Sequence, residues 1–139
     1  MGAAAVAFAA LAGASPPARL DVQVSGLRSG AGQLIVCVTR DAGHFPDCAG
    51  DPAARKLKVP AAQAGAIHVA GLASGAYAIA MIHDENMNDR LDRRAMVPTE
   101  GVGFSNNPRL IFGPPGFSKA AFAVNQPVVA EAIRMRYFL

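Results

Sequence analysis

The sequence predicts an all-β fold, an antiparallel β-sandwich of about seven strands with one long polar loop. Three observations carry that expectation. Apolar residues recur at every second position through most of the chain, the period of a half-buried strand. The runs are short and separated by turns that draw on 14 glycines and 10 prolines. Beyond the first fourteen residues no stretch shows the 3.6-residue period of a long amphipathic helix.

The elements follow in order. Leu20, Val22 and Val24 alternate with Asp21, Gln23 and Ser25, giving an amphipathic strand that ends at Gly26. The turn RSGAG (28–32) leads into QLIVCVT (33–39), apolar on both faces and rich in β-branched residues, hence a central strand; the two are expected to form a hairpin. RKLKV (55–59) turns Leu57 and Val59 inward and Lys56 and Lys58 outward. AIHVAGL (66–72) and GAYAIAMIH (75–83) repeat the pattern across a short Ala-Ser-Gly turn. Residues 120–124 and 128–137 supply two more strands. In the last, Val129, Glu131, Ile133, Met135 and Tyr137 form the face expected to be buried. The rhythm breaks only over residues 84–116, which hold four acids in their first nine positions and then run through GVGFSNNPRLIFGPPG. Connections of that length are uncommon in compact domains and often functional.

At 139 residues the chain is one domain, too short for a two-lobed Rossmann or barrel enzyme. The net charge of +3 comes from scattered basic residues with no Lys/Arg block among aromatics, so no nucleic-acid partner is expected. Residues 1–14, MGAAAVAFAALAGA, form an uncharged apolar run too short to cross a bilayer. They end in a small-x-small pattern before Ser15-Pro16-Pro17, which reads as a signal peptide cleaved after Ala14 although no Lys or Arg precedes the run. The expected organisation is a leader over 1–14 and a single sandwich over 15–139, not transmembrane, periplasmic or secreted. In an exported chain the two cysteines, Cys37 and Cys48, read as a structural disulfide.

Four segments carry a resemblance: VSGLRSGAGQLIVCV, HVAGLASGAYAIAMIHDENMNDRLD, EGVGFSNN and GPPGFSKAAFAV. Together they closely resemble the bacterial exported family known as domain of unknown function 2141, from about Leu20 to Tyr137. GLASGAYAIA also resembles the prealbumin-type sandwiches of carboxypeptidase regulatory domains. The resemblance implies an exported prealbumin-like or Ig-like Greek-key sandwich and supplies no activity. The family pattern HDENGNGKLD differs here at both glycines, which Met87 and Asp89 replace.

Asp84, Asn86, Asn88 and Asp92 stand at positions 1, 3, 5 and 9 of a calcium-loop spacing, with hard oxygen ligands. Position 6 is Asp89 where glycine is required, and position 12 is Ala95 where a bidentate Glu belongs, so the set is short of ligands unless Glu100 folds back. The alternative is an ion-free, Asx-turned loop neutralised by Arg90, Arg93 and Arg94. His83 reads as a loop anchor, as do Ser105, Asn106 and Asn107: Ser105 lacks a nucleophile-elbow context, and His44 and His68 have no ligand-like spacing to His83. Phe104, Phe112 and Phe117 are expected to plug the core beneath the loop, with a small apolar patch as the alternative. No catalytic residue is assigned. The sequence therefore points to a non-enzymatic exported binding module that uses residues 84–116, contacting a cell-envelope component or small ligand. A calcium-stabilised structural domain is the alternative, with Ca²⁺ as its cofactor, and a small metal-dependent hydrolase centred on His83 the outside one.

Overall fold

A computed structural model of the protein describes Gly2 and residues 16–139. Apart from Gly2, the leader over 1–14 and its cleavage site lie outside the described residues, in which no helix is long and apolar enough to cross a membrane. The structure is all-β. Its strands are β1 (Ala18–Ser25), β2 (Gln33–Thr39), β3 (Arg55–Pro60), β4 (Ala66–Leu72), β5 (Gly75–Asp84), the short β6 (Arg93–Arg94) and β7 (Val97–Pro98), β8 (Gly101–Phe104), β9 (Phe122–Val124) and β10 (Val128–Arg134). One helical turn, α1 (Phe117–Ala120), precedes β9.

Two sheets form the sandwich. One has the order β10-β1-β4, the other β3-β2-β5-β8, with β9 alongside the start of β5. Period two divides each strand between two faces. Leu20 and Val22 of β1, Leu34, Val36 and Val38 of β2, Ile67 and Val69 of β4, Tyr77, Ile79 and Met81 of β5, and Ile133 of β10 point between the sheets and make the main core. The opposite face of the larger sheet carries Cys37, Ala80, Val102 and Phe104, a second and smaller cluster covered by Phe45, Leu91 and Leu110 from three loops.

Several expectations are corrected by the pairing. β1 and β2 do not form a hairpin: β1 pairs with β4 and β10, β2 with β3 and β5, so RSGAG carries the chain from one sheet to the other. The sandwich is not wholly antiparallel, because β1 and β10 run parallel, from Arg19 opposite Val128 to Ser25 opposite Arg134. The GVGF segment is not loop: it is β8, paired with β5 from Ala80 opposite Phe104 to His83 opposite Gly101.

Beyond β10 the chain leaves β1 and crosses to the other sheet, where Arg136 exchanges two backbone hydrogen bonds with Val102, of 2.8 and 3.0 Å. That crossing closes one side of the sandwich. It passes so near β8 that the inward positions there are glycines: a Cβ on Gly103 would stand 2.7 Å from Met135 Sδ and 2.8 Å from Ile133 Cγ2. The predicted inward face of the last strand is right for Ile133 and Met135, both buried. Of the three phenylalanines expected to plug the core, Phe104 is buried, Phe117 half-buried and Phe112 fully exposed.

Candidate functional site

Residues 84–100 leave the end of β5 and return to β8 as an acidic loop built on a buried carboxylate. Asp84 has no exposed surface. Its oxygens accept from Gln33 Nε2 of β2 at 2.9 Å, from the Asn88 amide at 3.2 Å and from the Asp89 amide at 2.8 Å. A buried carboxylate is tolerable because those donors replace its water. Gln33 Nε2 also donates to Asp89 Oδ1 at 2.7 Å, and Lys58 of β3 reaches the same oxygen at 2.9 Å. Lys58 and Gln33 together hold the Asp89 carboxyl below its ordinary range. Three strands thus fix the loop's first turn.

The turn is tight enough to place Met87 at φ 61° and Asp89 at φ 63°, the left-handed region. These are the two positions where the family pattern has glycine. Asn86 and Asn88 do not turn their oxygens toward a common centre. Their Nδ2 groups donate to Asp92, from Asn86 at 2.7 Å and from Asn88 at 2.7 and 2.9 Å, while their Oδ1 atoms accept from the amides of Asn88 and Arg90. Those donations hold the Asp92 carboxyl down.

Glu100 does fold back. Buried at the foot of β8, it accepts from the Glu85 amide at 2.8 Å and the Asp92 amide at 3.1 Å. Burial pushes its carboxyl above the ordinary glutamate value, against the downward pull of the Asp92 and Glu85 amides, and the Asp92 carboxyl adds to the rise. Asp84, Asn86, Asn88, Asp92 and Glu100 therefore belong to one hydrogen-bonded network.

His83 is fully buried and faces the main core side of β5. Its Nε2 lies 2.8 Å from the Ala31 carbonyl, so Nε2 carries the proton and donates; Nδ1, 2.8 Å from the Tyr137 hydroxyl, accepts. The Tyr137 oxygen in turn accepts from the Arg28 amide at 3.2 Å. Arg28 stacks over the Tyr137 ring at 4.5 Å, pairs with Glu85, and donates to the carbonyls of Thr99 and Leu139. The pairing holds the Glu85 carboxyl down. His83 is thus an anchor that joins the turn after β1, the loop and the C-terminal segment.

The second half of the region is anchored as tightly. Ser105 Oγ is buried, accepts from the Ile79 amide at 2.9 Å and donates to the Ala120 carbonyl. Asn106 Nδ2 donates to Ala121 O at 2.7 Å. Asn107 continues the edge of β10: its Nδ2 donates to Ala132 O at 3.0 Å and its Oδ1 accepts from the Arg134 amide at 2.8 Å. Cys37 and Cys48 are bonded, and the bridge holds a loop whose Phe45 packs edge-on against Phe104 and Phe117 at 6.2 and 6.0 Å. Gln33, Lys58, Arg28 and Tyr137 are the site residues that sequence reasoning missed. Each reaches the loop across strands or from the far end of the chain, and no local motif signals that.

Fold and site together define an all-β sandwich domain with a disulfide and an acidic loop, its buried carboxylates hydrogen-bonded, at one end of its larger sheet. Residues 22–131 match the family described as "Uncharacterized protein conserved in bacteria (DUF2141)", and the chain belongs to that family. No curated protein and no solved structure matches the chain.

Proposed function

We propose that the protein is an exported, non-enzymatic binding module that presents the outer parts of residues 84–116 as its recognition surface. One observation carries this reading. Of the eight large hydrophobic residues exposed among the described residues, five lie in this segment: Met87, Met96, Val97, Ile111 and Phe112, with Met96 90% and Phe112 fully exposed. Five exposed apolar side chains in one segment, against three in the rest of the described residues, support reading that segment as a contact surface. Arg90, Arg93, Arg94 and Arg109 are exposed in the same segment, which suits an anionic cell-envelope component or small anionic ligand. His83 supports the non-enzymatic reading, since both ring nitrogens are committed and the ring meets no solvent. The test is site-specific photo-crosslinking in the exporting cell, with the crosslinker at Met96 or Phe112 and, as control, at Ala70 on the far edge. Adducts unique to positions 96 and 112 are expected; equal labelling from position 70 overturns the surface.

A calcium-stabilised structural domain is the second reading, and Glu100 favours it. Its buried carboxylate stands beside that of Asp92 at the base of an Asp-x-Asn-x-Asn loop, a like-charge contact that a cation would relieve. Thermal melts in calcium and in chelator decide it: a rise in Tm of several degrees with calcium supports the reading, and superimposable melts remove it.

A further inference from the structure

The disulfide-closed loop holds another cluster, made from residues with no motif spacing between them. Asp41 caps a three-residue 3₁₀ turn, Ala42–His44, with one oxygen on the Gly43 amide at 2.8 Å; the turn brings His44 Nδ1 to 2.9 Å from its other oxygen. Two further turns, Cys48 N to His44 O at 2.8 Å and Asp51 N to Cys48 O at 3.3 Å, swing the chain back so that Asp51 joins them. The buried Thr39 hydroxyl fixes the Asp51 carboxylate at 2.6 Å. One ligand atom from each of Asp41, His44 and Asp51 lies within 4.8 Å of the other two, the group of this kind found among the described residues.

We propose that Asp41, His44 and Asp51 form a binding site for a divalent first-row transition-metal ion. The separation supports it. Two ligands about 2.0–2.1 Å from one ion and at the right angle of octahedral coordination stand roughly 2.9 Å apart, the separation of Asp41 and His44, and Asp51, within 4.8 Å of both, swings inward to complete the set. The donor set selects the class of ion: an imidazole nitrogen with two carboxylate oxygens suits Zn²⁺ or Mn²⁺, whereas Ca²⁺ needs six to eight oxygens that this loop does not bring together. The partly exposed ring of His44 and the exposed Asp41 leave the remaining coordination positions to water. Because Phe45 follows His44 and packs on Phe104 and Phe117, an ion here would fix the cover over the outer face of the larger sheet.

The test is calorimetric titration of the oxidised full chain with Zn²⁺, using H44Q and D51N as site variants and H68Q as control. Gln and Asn keep a polar side chain in place, so the loop folds in both variants, checked by near-UV dichroism. His68 lies 2.6 Å from Asp21 in an exposed pair that lacks a third ligand, so it reports adventitious binding. One ion per chain is expected, weakened about 10-fold or more in H44Q and in D51N and unchanged in H68Q. Binding that survives both site variants, binding lost in H68Q, or the absence of saturable binding each overturns the proposal.

Discussion

Tyr137 fills the space in which a side chain at Gly101 would stand: a Cβ there would lie 2.7 Å from Tyr137 Cζ and 3.0 Å from the hydroxyl. The residue at 101 is therefore glycine because the C-terminal segment crosses β8 at that point. Gly101→Ala should cost about 1–3 kcal/mol in urea denaturation, the range for overpacking a filled site. Gly65→Ala is the internal control, since nothing lies within 4 Å of a Cβ there. Equal midpoints for the two variants would show that Tyr137 yields easily.

The same hydroxyl is an intermediate in a relay that runs from the Arg28 amide through Tyr137 to His83 Nδ1. Tyr137→Phe keeps the ring on Gly101 and leaves a fully buried imidazole acceptor without its donor. An unmet buried polar group costs about 1–3 kcal/mol, so the variant should unfold at clearly lower urea with an unchanged slope. A midpoint within error of wild type would mean that His83 is not held through this contact.

The strands were legible because each carries its own evidence: Leu20, Val22 and Val24 or Ile67 and Val69 alternate whatever their partners are. Which strands pair was not, since the register of β1 on β10 depends on residues at opposite ends of the chain. β8 was hidden for a specific reason. Its inward positions are Gly101 and Gly103, so the alternation that marks a strand is missing on the face that would show it. Asp84, Asn86, Asn88 and Asp92 were visible from spacing, and the disulfide from an even cysteine count. Gln33, Lys58 and the approach of Asp51 to His44 were not, because strand register and two turns of the Cys37–Cys48 loop create them.

Met87 and Asp89 sit with positive φ where the family pattern has glycine, and their side chains fare differently. Met87 is 57% exposed, so its side chain offsets little of the roughly 1–2 kcal/mol that a left-handed backbone costs an ordinary residue. Met87→Gly should stabilise the fold by about 1 kcal/mol, less the added entropy of the unfolded chain. Asp89→Gly should gain nothing, since it forfeits the contacts to Lys58 and Gln33. Thermal melts of the two variants check the pair, and a stabilised Asp89→Gly would mean that the carboxylate contributes less than its backbone strain costs.

Two glutamates give acid titration opposite signs. Burial pushes the Glu131 carboxyl above its unfolded value of 4.5, against a smaller downward pull from the Asn106 backbone. The stability that Glu131 adds is therefore complete below that value and is lost as the pH rises through the folded one. Glu85, held down by Arg28 and Ser29, adds stability above 4.5 that is lost as the pH falls through its lowered value. Glu131→Gln should accordingly raise Tm at neutral pH, where the native side chain carries a disfavoured charge, and lose that advantage near pH 4. Glu85→Gln should lower Tm at neutral pH by an amount that shrinks toward strong acid, and modestly, because an exposed pair contributes about 1 kcal/mol at most. Melts of the three proteins across this range separate the effects: an advantage of Glu131→Gln that persists unchanged at pH 4 would point to packing of the amide rather than removal of charge.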